Sequence, residues 1–551
     1  MRCILIFITL FSSTLFFGQY SLFIEPVDDA SKAFFKRKAL AYEQKDSIEA
    51  ELKLKELGLM FRDEGYLTYQ INKMYAQNRL IATVSFGSKF EFAQLSPGNC
   101  DLFILGEIGI QANDFEDPWS FQRTRQLIEN LLSYYEENGY PFARAKLDSL
   151  DLNSNILKAQ LNVFSGPYRN LDSIVVKTDT KIPKGYISYH LGLKTGKPYN
   201  ERKLRDVEQL ALNEGTFSAN RPPQVLFEEQ KTSAFLYLAK QNNNRISGIA
   251  GINTNEDGSV FLTGELDLSL NHIFKGAENI AFNWNAPRAG SQQLNLSVDI
   301  PYLFKSPLGI IFNFNLFRED TLFSNRDVLI GLNLRPNARA ELGVSYQDKN
   351  SNNLQGADNF ANVTTKYVLL TTKYNRLNHR FLPTKGVLLK VLAGQGDRQS
   401  QDDKQRQYTA MIQLSSFFTI HKMNKMFVGL KAEGLFNSTL VTNELYRLGG
   451  VNSIRGFNEQ SIFASQYAFS QVEYRLFLER LTYFFLFADV GFSRNEVPEI
   501  PTENFLIGTG LGFSFYTKGG IFSLAIGVGK QNENPFNLSE AKVHIGYVNR
   551  F

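Results

Sequence analysis

The C-terminal half of the chain alternates apolar and polar side chains with a period of two, which is the side-chain period of a β-strand. Between residues 261 and 271, one face carries Leu262, Leu266, Leu268 and Leu270. The opposite face carries Thr263, Glu265, Asp267, Ser269 and Asn271. Residues 293–300 and 310–317 repeat the pattern. A leucine face opposite a carboxylate face requires either lipid on one side and water on the other, or a solvated sheet that covers a core.

About sixteen such segments of roughly ten residues follow one another, and an even number fits an antiparallel transmembrane β-barrel. The predicted strands begin near Ile246, Ser259, Ala277, Ser291, Leu308, Asn325, Ala338, Thr365, Thr384, Arg406, Asn424, Gln466, Thr482, Asn504, Gly520 and Ala541. Connections alternate between tight ones, at 335–337 and 517–519, and long ones, at 347–364, 394–405, 437–465 and 492–503. Short periplasmic turns and long external loops produce this alternation. The sequence therefore predicts an all-β transmembrane barrel over residues 246–551.

The part of the chain before residue 242 repeats a different unit. Three amphipathic helical segments each run into a glycine, at Gly65, Gly139 and Gly215, and these glycines lie 74 and 76 positions apart. Apolar residues spaced by three and four give each helix one buried stripe, and the glycine offers a left-handed stop. Extended segments follow each glycine. The pattern predicts three tandem α+β modules, at 20–89, 90–167 and 168–241.

Residues 1–19 contain a short apolar run behind Arg2 and are typical of a cleaved secretory signal. The run is too short for a good membrane-spanning helix. Cys3 precedes the run and does not mark a lipid attachment site, so Cys100 is expected to be the only cysteine of the mature chain. A single cysteine excludes an internal disulfide and a cysteine-based metal site.

Neither charge nor motifs favour nucleic-acid binding or enzymatic chemistry. The 59 basic and 55 acidic residues leave a net charge of +4 and are spread through the chain, without a concentrated basic stripe. Residues 527–530 lack the spacing and the following Ser or Thr of a phosphate-binding loop. The five histidines are scattered, and the sequence contains no Gly-x-Ser-x-Gly turn. We therefore expect no catalytic residue, no cofactor, no metal ligand and no nucleic-acid partner.

A polar motif lies in the longest predicted loop, where residues 448–457 read Leu-Gly-Gly-Val-Asn-Ser-Ile-Arg-Gly-Phe. Its candidate site residues are Gly449, Gly450, Ile454, Arg455, Gly456 and Phe457. Glycines let the backbone turn where side chains would clash, so Arg455 can reach into a confined space. A buried guanidinium needs a countercharge, which Asp489 of a downstream Phe-x-Asp-x-Gly segment offers from the lumen side of its strand. Glu473 faces the lumen by the same parity and is a second predicted partner.

These two segments, the three modules and the alternating last strand that ends in Phe551 together resemble the outer-membrane assembly and translocation superfamily typified by BamA and TamA, in which POTRA modules precede a β-barrel. The resemblance implies that residues 438–465 form a loop folded back into the barrel. It also implies a bacterial outer membrane with the modules in the periplasm. Three modules and sixteen strands are most similar to the TamA-type architecture.

The same resemblance implies a function. POTRA modules are expected to capture polypeptide clients by strand addition, because backbone hydrogen bonds make few demands on the client's sequence. The barrel is then expected to insert these clients into the outer membrane or to move them across it. Expected partners are outer-membrane or secreted polypeptides and outer-membrane lipid, while a periplasmic or inner-membrane partner at the first module stays open. The alternatives are a two-partner-secretion-type transporter of one exoprotein and a passive porin.

Three further points stay open at the level of sequence. Gly248 and Gly251 in the first strand and Gly546 in the last, which ends at Phe551, either relieve curvature or weaken a lateral seam. A weak seam would let clients leave sideways. The pair of Arg455 and Asp489 anchors either a functional loop or a purely structural one. Residues 28–55 are expected to form helices of the first module, with a detached plug helix as the alternative.

Overall fold

The computed structural model describes residues 20–549 except 37, 45, 154, 242, 255–259, 289, 321, 355–359, 380–381, 402, 437–438, 452, 480, 498–500 and 518–519. The predicted signal at 1–19 and the terminal Phe551 lie outside the described residues. The described helices include none with both the length and the apolar character needed to cross a membrane. The chain divides into two compact units, one comprising residues up to Asn170 with Pro198–Arg202, the other Leu171–Lys197 with the residues from Lys203 onward.

The first module is a four-stranded sheet covered by two helices. Its elements are β1 (Tyr20–Pro26), α1 (Asp29–Phe35), β2 (Ala41–Gln44), α2 (Ser47–Asp63), β3 (Gln70–Ala76) and β4 (Arg79–Ser85). The strand order is β2-β1-β4-β3, with β1 parallel to β4. Phe35 of α1 and Phe61 of α2 pack with Phe86 in one buried core. Because both helices belong to this core, the alternative of a detached plug helix is wrong.

The second module repeats this topology with one strand fewer. Its elements are β5 (Glu91–Ser96), α3 (Leu102–Glu107), α4 (Phe121–Glu137), β6 (Arg144–Asn153) and β7 (Ile156–Phe164). The order is β5-β7-β6, with β5 parallel to β7. Leu131 of α4 packs on Leu95 and Leu161 of the sheet. A bidentate pair joins α4 to α2, since Arg125 Nη2 and Nε lie 2.7 and 3.0 Å from the carboxylate of Asp63.

The third region contains a small two-stranded sheet and a four-stranded sheet whose first and last strands are parallel. Its elements are β8 (Asn170–Leu171), β9 (Ser173–Lys177), β10 (Lys197–Pro198), α5 (Glu201–Glu214), β11 (Phe217–Ala219), β12 (Gln224–Phe227) and β13 (Thr232–Lys240), with a wide helical turn over Tyr186–His190. Strands β8 and β10 form the two-stranded sheet. Strand β13 is central in the four-stranded sheet, antiparallel to β11 and β12 and parallel to β9. We call the part of this region within the second compact unit module 3.

The remaining chain forms a sixteen-stranded antiparallel sheet in which neighbours in sequence are neighbours in space. Its strands are β14 (Arg245–Thr254), β15 (Val260–Asn271), β16 (Asn279–Arg288), β17 (Ser291–Ile300), β18 (Leu308–Glu319), β19 (Phe323–Leu334), β20 (Ala340–Asn353), β21 (Val363–Asn375), β22 (Gly386–Ser400), β23 (Asp403–Thr419), β24 (Asn424–Phe436), β27 (Gln466–Glu479), β28 (Thr482–Asn495), β29 (Thr502–Thr517), β30 (Gly520–Gln531) and β31 (Lys542–Asn549). Between β24 and β27, a separate hairpin pairs β25 (Tyr446–Leu448) with β26 (Ile462–Ala464). The predicted fold class is confirmed, and every strand begins within three residues of its predicted start.

One predicted loop is wrong. The long connection expected at 394–405 is instead paired strand, since the register of β22 and β23 continues to Ser400 and Asp403. Beyond the lipid the outer face of a strand meets water and no longer has to be apolar, so the apolar alternation disappears while the backbone ladder continues. The sequence pattern therefore reports the lipid-facing length of a strand and misses its solvated extension.

The sheet curls around the segment that links β24 to β27. Near the start of this segment, Asn443 O accepts a hydrogen bond from Asn325 Nδ2 of β19, at 2.9 Å. Further on, the backbone N–H of Gly456 donates to His544 Nε2 of β31, at 3.3 Å. One short segment can reach strands this far apart in the ladder only if the sheet surrounds it. The sheet is therefore the wall of a barrel, and the segment occupies its lumen.

Candidate functional site

Strand β28 places a carboxylate in the lumen because its side chains alternate strictly between an outer and an inner face. Phe484, Leu486, Ala488 and Val490 are exposed on the outer face. Tyr483, Phe485, Phe487 and Asp489 are buried on the inner face. Asp489 has no solvent exposure at all. Its neighbour strand β27 contributes Glu473, which is also buried. Two carboxylates thus face inward from adjacent strands.

The loop that meets them turns on glycines. Gly449, Gly450 and Gly456 have φ angles of +108°, +94° and +89°, in the left-handed region that side chains disfavour. The N–H of Gly449 donates to Ser453 Oγ at 2.8 Å, and that of Gly450 to the carbonyl oxygen of Ile454 at 3.1 Å. These bonds close a compact tip directly before Arg455, between the two strands of the β25–β26 hairpin.

Arg455 binds both inward carboxylates. Its Nε and Nη2 donate to Asp489 at 2.8 and 2.6 Å, and its backbone N–H donates to the same carboxylate at 3.0 Å. Its Nη1 donates to Glu473 at 2.5 Å. Arg475 of β27 binds the other oxygen of Glu473, with Nη2 at 2.6 Å. Two guanidinium groups and two carboxylates therefore form a neutral, buried network that holds the loop to the wall.

The Phe, Asp and Gly residues of the Phe-x-Asp-x-Gly segment each contact a different part of the loop. The ring of Phe487 lies 3.9 Å from the guanidinium carbon of Arg455. Asp489 accepts the hydrogen bonds from the guanidinium group. Gly491 leaves room for Ile454, because a Cβ there would overlap Ile454 Cδ1. Phe487 thus supplies a ring for stacking, Asp489 a countercharge, and Gly491 the space for a loop side chain.

The loop tip also packs closely against β29 and β30, two strands in which the sequence predicted no site residue. A Cβ on Gly456 would lie 2.5 Å from the backbone carbon of Val528 on β30. A Cβ on Gly508 of β29 would overlap the carbonyl oxygen of Arg455, and one on Gly529 of β30 would lie 2.7 Å from that of Gly456. Glycine inside a strand marks sites where another backbone approaches closely, and this signal was available in the sequence.

The residues predicted for the lateral seam lie on the first and last strands of the wall. Gly248 and Gly251 are on β14 and Gly546 is on β31, while Phe551 lies outside the described residues. The ladder runs from β14 to β31, and no register between these two end strands occurs in the described part of the chain. His544, two residues before Gly546, is the contact of β31 with the loop tip.

A second lumen anchor was not predicted. Arg398 of β22 is almost fully buried, and its Nε and Nη2 donate to Glu444 at 2.8 and 2.7 Å. The adjacent Asn443 donates to Ser351 Oγ at 2.6 Å. Here the wall supplies the cation and the loop the carboxylate, the reverse of the arrangement at Arg455. Arg398 was hidden because it lies in the segment predicted to be a loop.

This fold and this lumen site define an outer-membrane β-barrel preceded by POTRA-like α+β modules. The model of the Omp85 superfamily domain matches residues 272–547, which is half of the chain. The chain belongs to the Omp85 superfamily.

The chain is similar to several solved structures at low sequence identity. CdiB from Escherichia coli is 13% identical with a TM-score of 0.50, covering 91% of this chain and 97% of its own. CdiB from Acinetobacter baumannii is 15% identical with a TM-score of 0.49, covering 87% of this chain and 94% of its own. BamA from Haemophilus ducreyi lacking POTRA domains 1–3 is 12% identical with a TM-score of 0.45, covering 83% and 98%. No curated protein matches the sequence.

Proposed function

We propose that this protein lies in a bacterial outer membrane, captures polypeptide clients with its periplasmic modules, and inserts them into the membrane or moves them across it. The observation that carries the proposal is the loop tip around Arg455, held in the lumen by the buried network of Arg455, Asp489 and Glu473. A loop anchored inside the lumen obstructs the free diffusion of solutes. The arrangement therefore disfavours a passive porin and favours a gated path for polypeptides.

The modules offer the edges that strand addition requires. In the first module β3 is an edge strand, and Met74 and Tyr75 on it are strongly exposed. An exposed edge presents unpaired backbone N–H and C=O groups to any extended chain. We propose that the modules bind clients at such edges, with affinity from the backbone and little demand on side chains.

We further propose that clients leave through the seam between β14 and β31. The exposed Ile246 and Ile252 lie on the first strand, and Gly248 and Gly251 between them supply no side chain for cross-strand pairs. Every other wall strand has a partner on both sides. Opening an internal pair would expose backbone polar groups to lipid. Adding a new strand therefore costs the least free energy at the end strands.

A reversible lock tests this route. In a Cys100→Ser background, Gly546→Cys is combined with a cysteine series on β14, and disulfide formation should abolish client delivery until reductant is added. The matched control pairs Gly546→Cys with Ser523→Cys on β30, its register partner, which locks an existing pair and should leave delivery intact. Full delivery by the locked seam would exclude lateral release and favour transport through the lumen.

Depletion of the protein distinguishes the wider alternatives. Loss of many outer-membrane barrels supports assembly, loss of one secreted protein supports a two-partner-secretion-type transporter, and a change in solute permeability alone supports a porin. The outer-membrane proteome and the secreted proteins are measured together after depletion.

A further inference from the structure

Two connections at the periplasmic end of the barrel repeat a short sequence pattern. Residues 272–275, between β15 and β16, read His-Ile-Phe-Lys, and residues 302–305, between β17 and β18, read Tyr-Leu-Phe-Lys. Each consists of a polar ring, an aliphatic residue, a phenylalanine and a lysine. We call these two segments the Phe-Lys turns. They connect the four strands that follow the end strand β14.

The first ring of each Phe-Lys turn is buried against module 3. His272 Nε2 lies 3.1 Å from Thr180 Oγ1. The hydroxyl of Tyr302 lies 3.3 Å from His190 Nδ1. The approach at Tyr302 is close, since a Cβ on Gly185 would lie 2.6 Å from the Cβ of Tyr302. Module 3 therefore holds one side of both turns.

The phenylalanine two positions later is exposed in both turns, Phe274 by 76% and Phe304 by 94%. The following lysines, Lys275 and Lys305, are exposed as well. Phe304 is the most exposed large apolar side chain in the described part of the chain, and covering such a ring with an apolar environment is favourable. Two such rings at equivalent positions indicate a surface that has a partner.

The backbone fixes both phenylalanines in place. Phe304, Lys275 and Lys305 have φ angles of +51°, +61° and +63°, a conformation that costs free energy for residues other than glycine. In the first turn, the buried carboxylate of Glu278 accepts hydrogen bonds from the N–H groups of Phe274, at 2.5 Å, and Gly276, at 2.8 Å. The backbone that carries the exposed rings is thus held in a defined conformation by the surrounding structure.

We propose that the Phe-Lys turns bind the periplasmic leaflet of the membrane, with both rings at the boundary of headgroups and acyl chains and both ammonium groups on lipid phosphates. The inference rests on the proposed outer-membrane location. The turns follow Leu270 and Ile300 on the apolar faces of β15 and β17, so the nearest nonaqueous environment is that leaflet. A ring beside a cation suits this boundary, and anionic headgroups favour nearby lysines.

This contact would fix the depth of module 3 below the membrane. Each turn is bonded to module 3 through its first residue and to lipid through its third and fourth. The two contacts lie only two residues apart in the chain. Movement of module 3 against the barrel would therefore pull on the leaflet beside the first strands of the wall.

The test places an environment-sensitive fluorophore at the turns in the full-length protein, carrying Cys100→Ser and refolded into vesicles of phosphatidylcholine and phosphatidylglycerol. Single cysteines replace Phe274 or Phe304. Leu332→Cys, on the exposed outer face of β19, is the lipid control, and Leu226→Cys, exposed on β12, is the water control. Quenching by nitroxide lipids and by aqueous iodide is measured for each.

We expect the fluorophores at both turn positions to behave like the one at Leu332→Cys, with strong quenching by nitroxide lipid and shielding from iodide. If Leu332 is quenched by lipid while the turns behave like Leu226, the inference is overturned and the membrane location stands. If Leu332 itself is not quenched by lipid, the proposed location fails and the inference with it. Shielding of the turns from both quenchers would show that protein, from the same chain or from a second copy, covers them, and would also overturn the inference.

The lysines are tested by the lipid preference at the labelled cysteine of their own turn. Quenching by nitroxide phosphatidylglycerol, relative to nitroxide phosphatidylcholine, should fall about fivefold for Lys275→Gln measured at Phe274→Cys and for Lys305→Gln measured at Phe304→Cys. Lys422→Gln, in the turn between β23 and β24, is the matched control and should leave the ratio unchanged. An unchanged ratio in the Lys275 and Lys305 variants would remove the headgroup contact from the proposal.

Discussion

Replacing Arg455 with alanine should release the lumen loop while the barrel wall stays folded. The substitution removes every ion pair of Asp489 in the described part of the chain, and Asp489 is fully buried. Glu473 keeps one ion pair, because Nη2 of Arg475 still lies 2.6 Å from its carboxylate. Leaving one buried charge unpaired costs about 3–5 kcal/mol. The strand ladder does not pass through Arg455, so the cost falls on the loop alone.

A cost of that size raises the population of the released loop about a hundredfold to several-thousandfold. Hydrogen exchange of the hairpin β25–β26 should accelerate by this factor in Arg455→Ala, while exchange of the wall strands stays constant. Asp489→Asn should have a smaller effect, about 1–3 kcal/mol, because Arg455 then keeps its pair with Glu473.

The matched control is Arg494→Ala. Arg494 is exposed and pairs with Glu496 and Glu503 at 3.3 and 3.2 Å, so its loss should cost about 0–1 kcal/mol. Equal exchange of the hairpin in Arg455→Ala and Arg494→Ala would refute the reasoning. An accelerated exchange of the whole wall in Arg455→Ala would refute the claim that the cost is local.

Three other substitutions have defined outcomes. Gly456→Ala should displace the loop tip, because its φ of +89° and a Cβ 2.5 Å from Val528 leave no room, and exchange at 453–457 should rise. Arg398→Ala should cost about 3–5 kcal/mol and expose residues 439–446 to protease, since it strips buried Glu444 of its bidentate partner. Burial lowers the pKa of His190 below 6.5, so its neutral form stabilises the contact of module 3 with the barrel above pH 6.5. That stability should be lost as the pH falls through the lowered pKa, seen as faster exchange at 185–193, and His190→Gln should remove the dependence.

The wall could be predicted from the sequence because lipid imposes a local rule. Every strand that meets lipid must alternate, so its start and its inward face follow from a few neighbouring residues. The inward position of Asp489 followed from that parity. The pair of Arg398 and Glu444 could not be found this way, since both lie in segments without apolar alternation and nothing local encodes their partner. The left-handed backbone at Phe304 was hidden for the same reason, because no glycine marks it.

The lumen loop has a consequence for the order in which the barrel forms. Two of its contacts join residues far apart in the chain, 118 positions for Asn325 with Asn443 and 88 positions for Gly456 with His544. The wall, by contrast, pairs mostly consecutive strands, and such local pairs form early because they close short loops. The wall strands can therefore pair hairpin by hairpin while water still occupies the lumen. Only the arrival of β31 supplies His544, so the contact of the loop tip with the last strand forms after its contacts with β27 and β28.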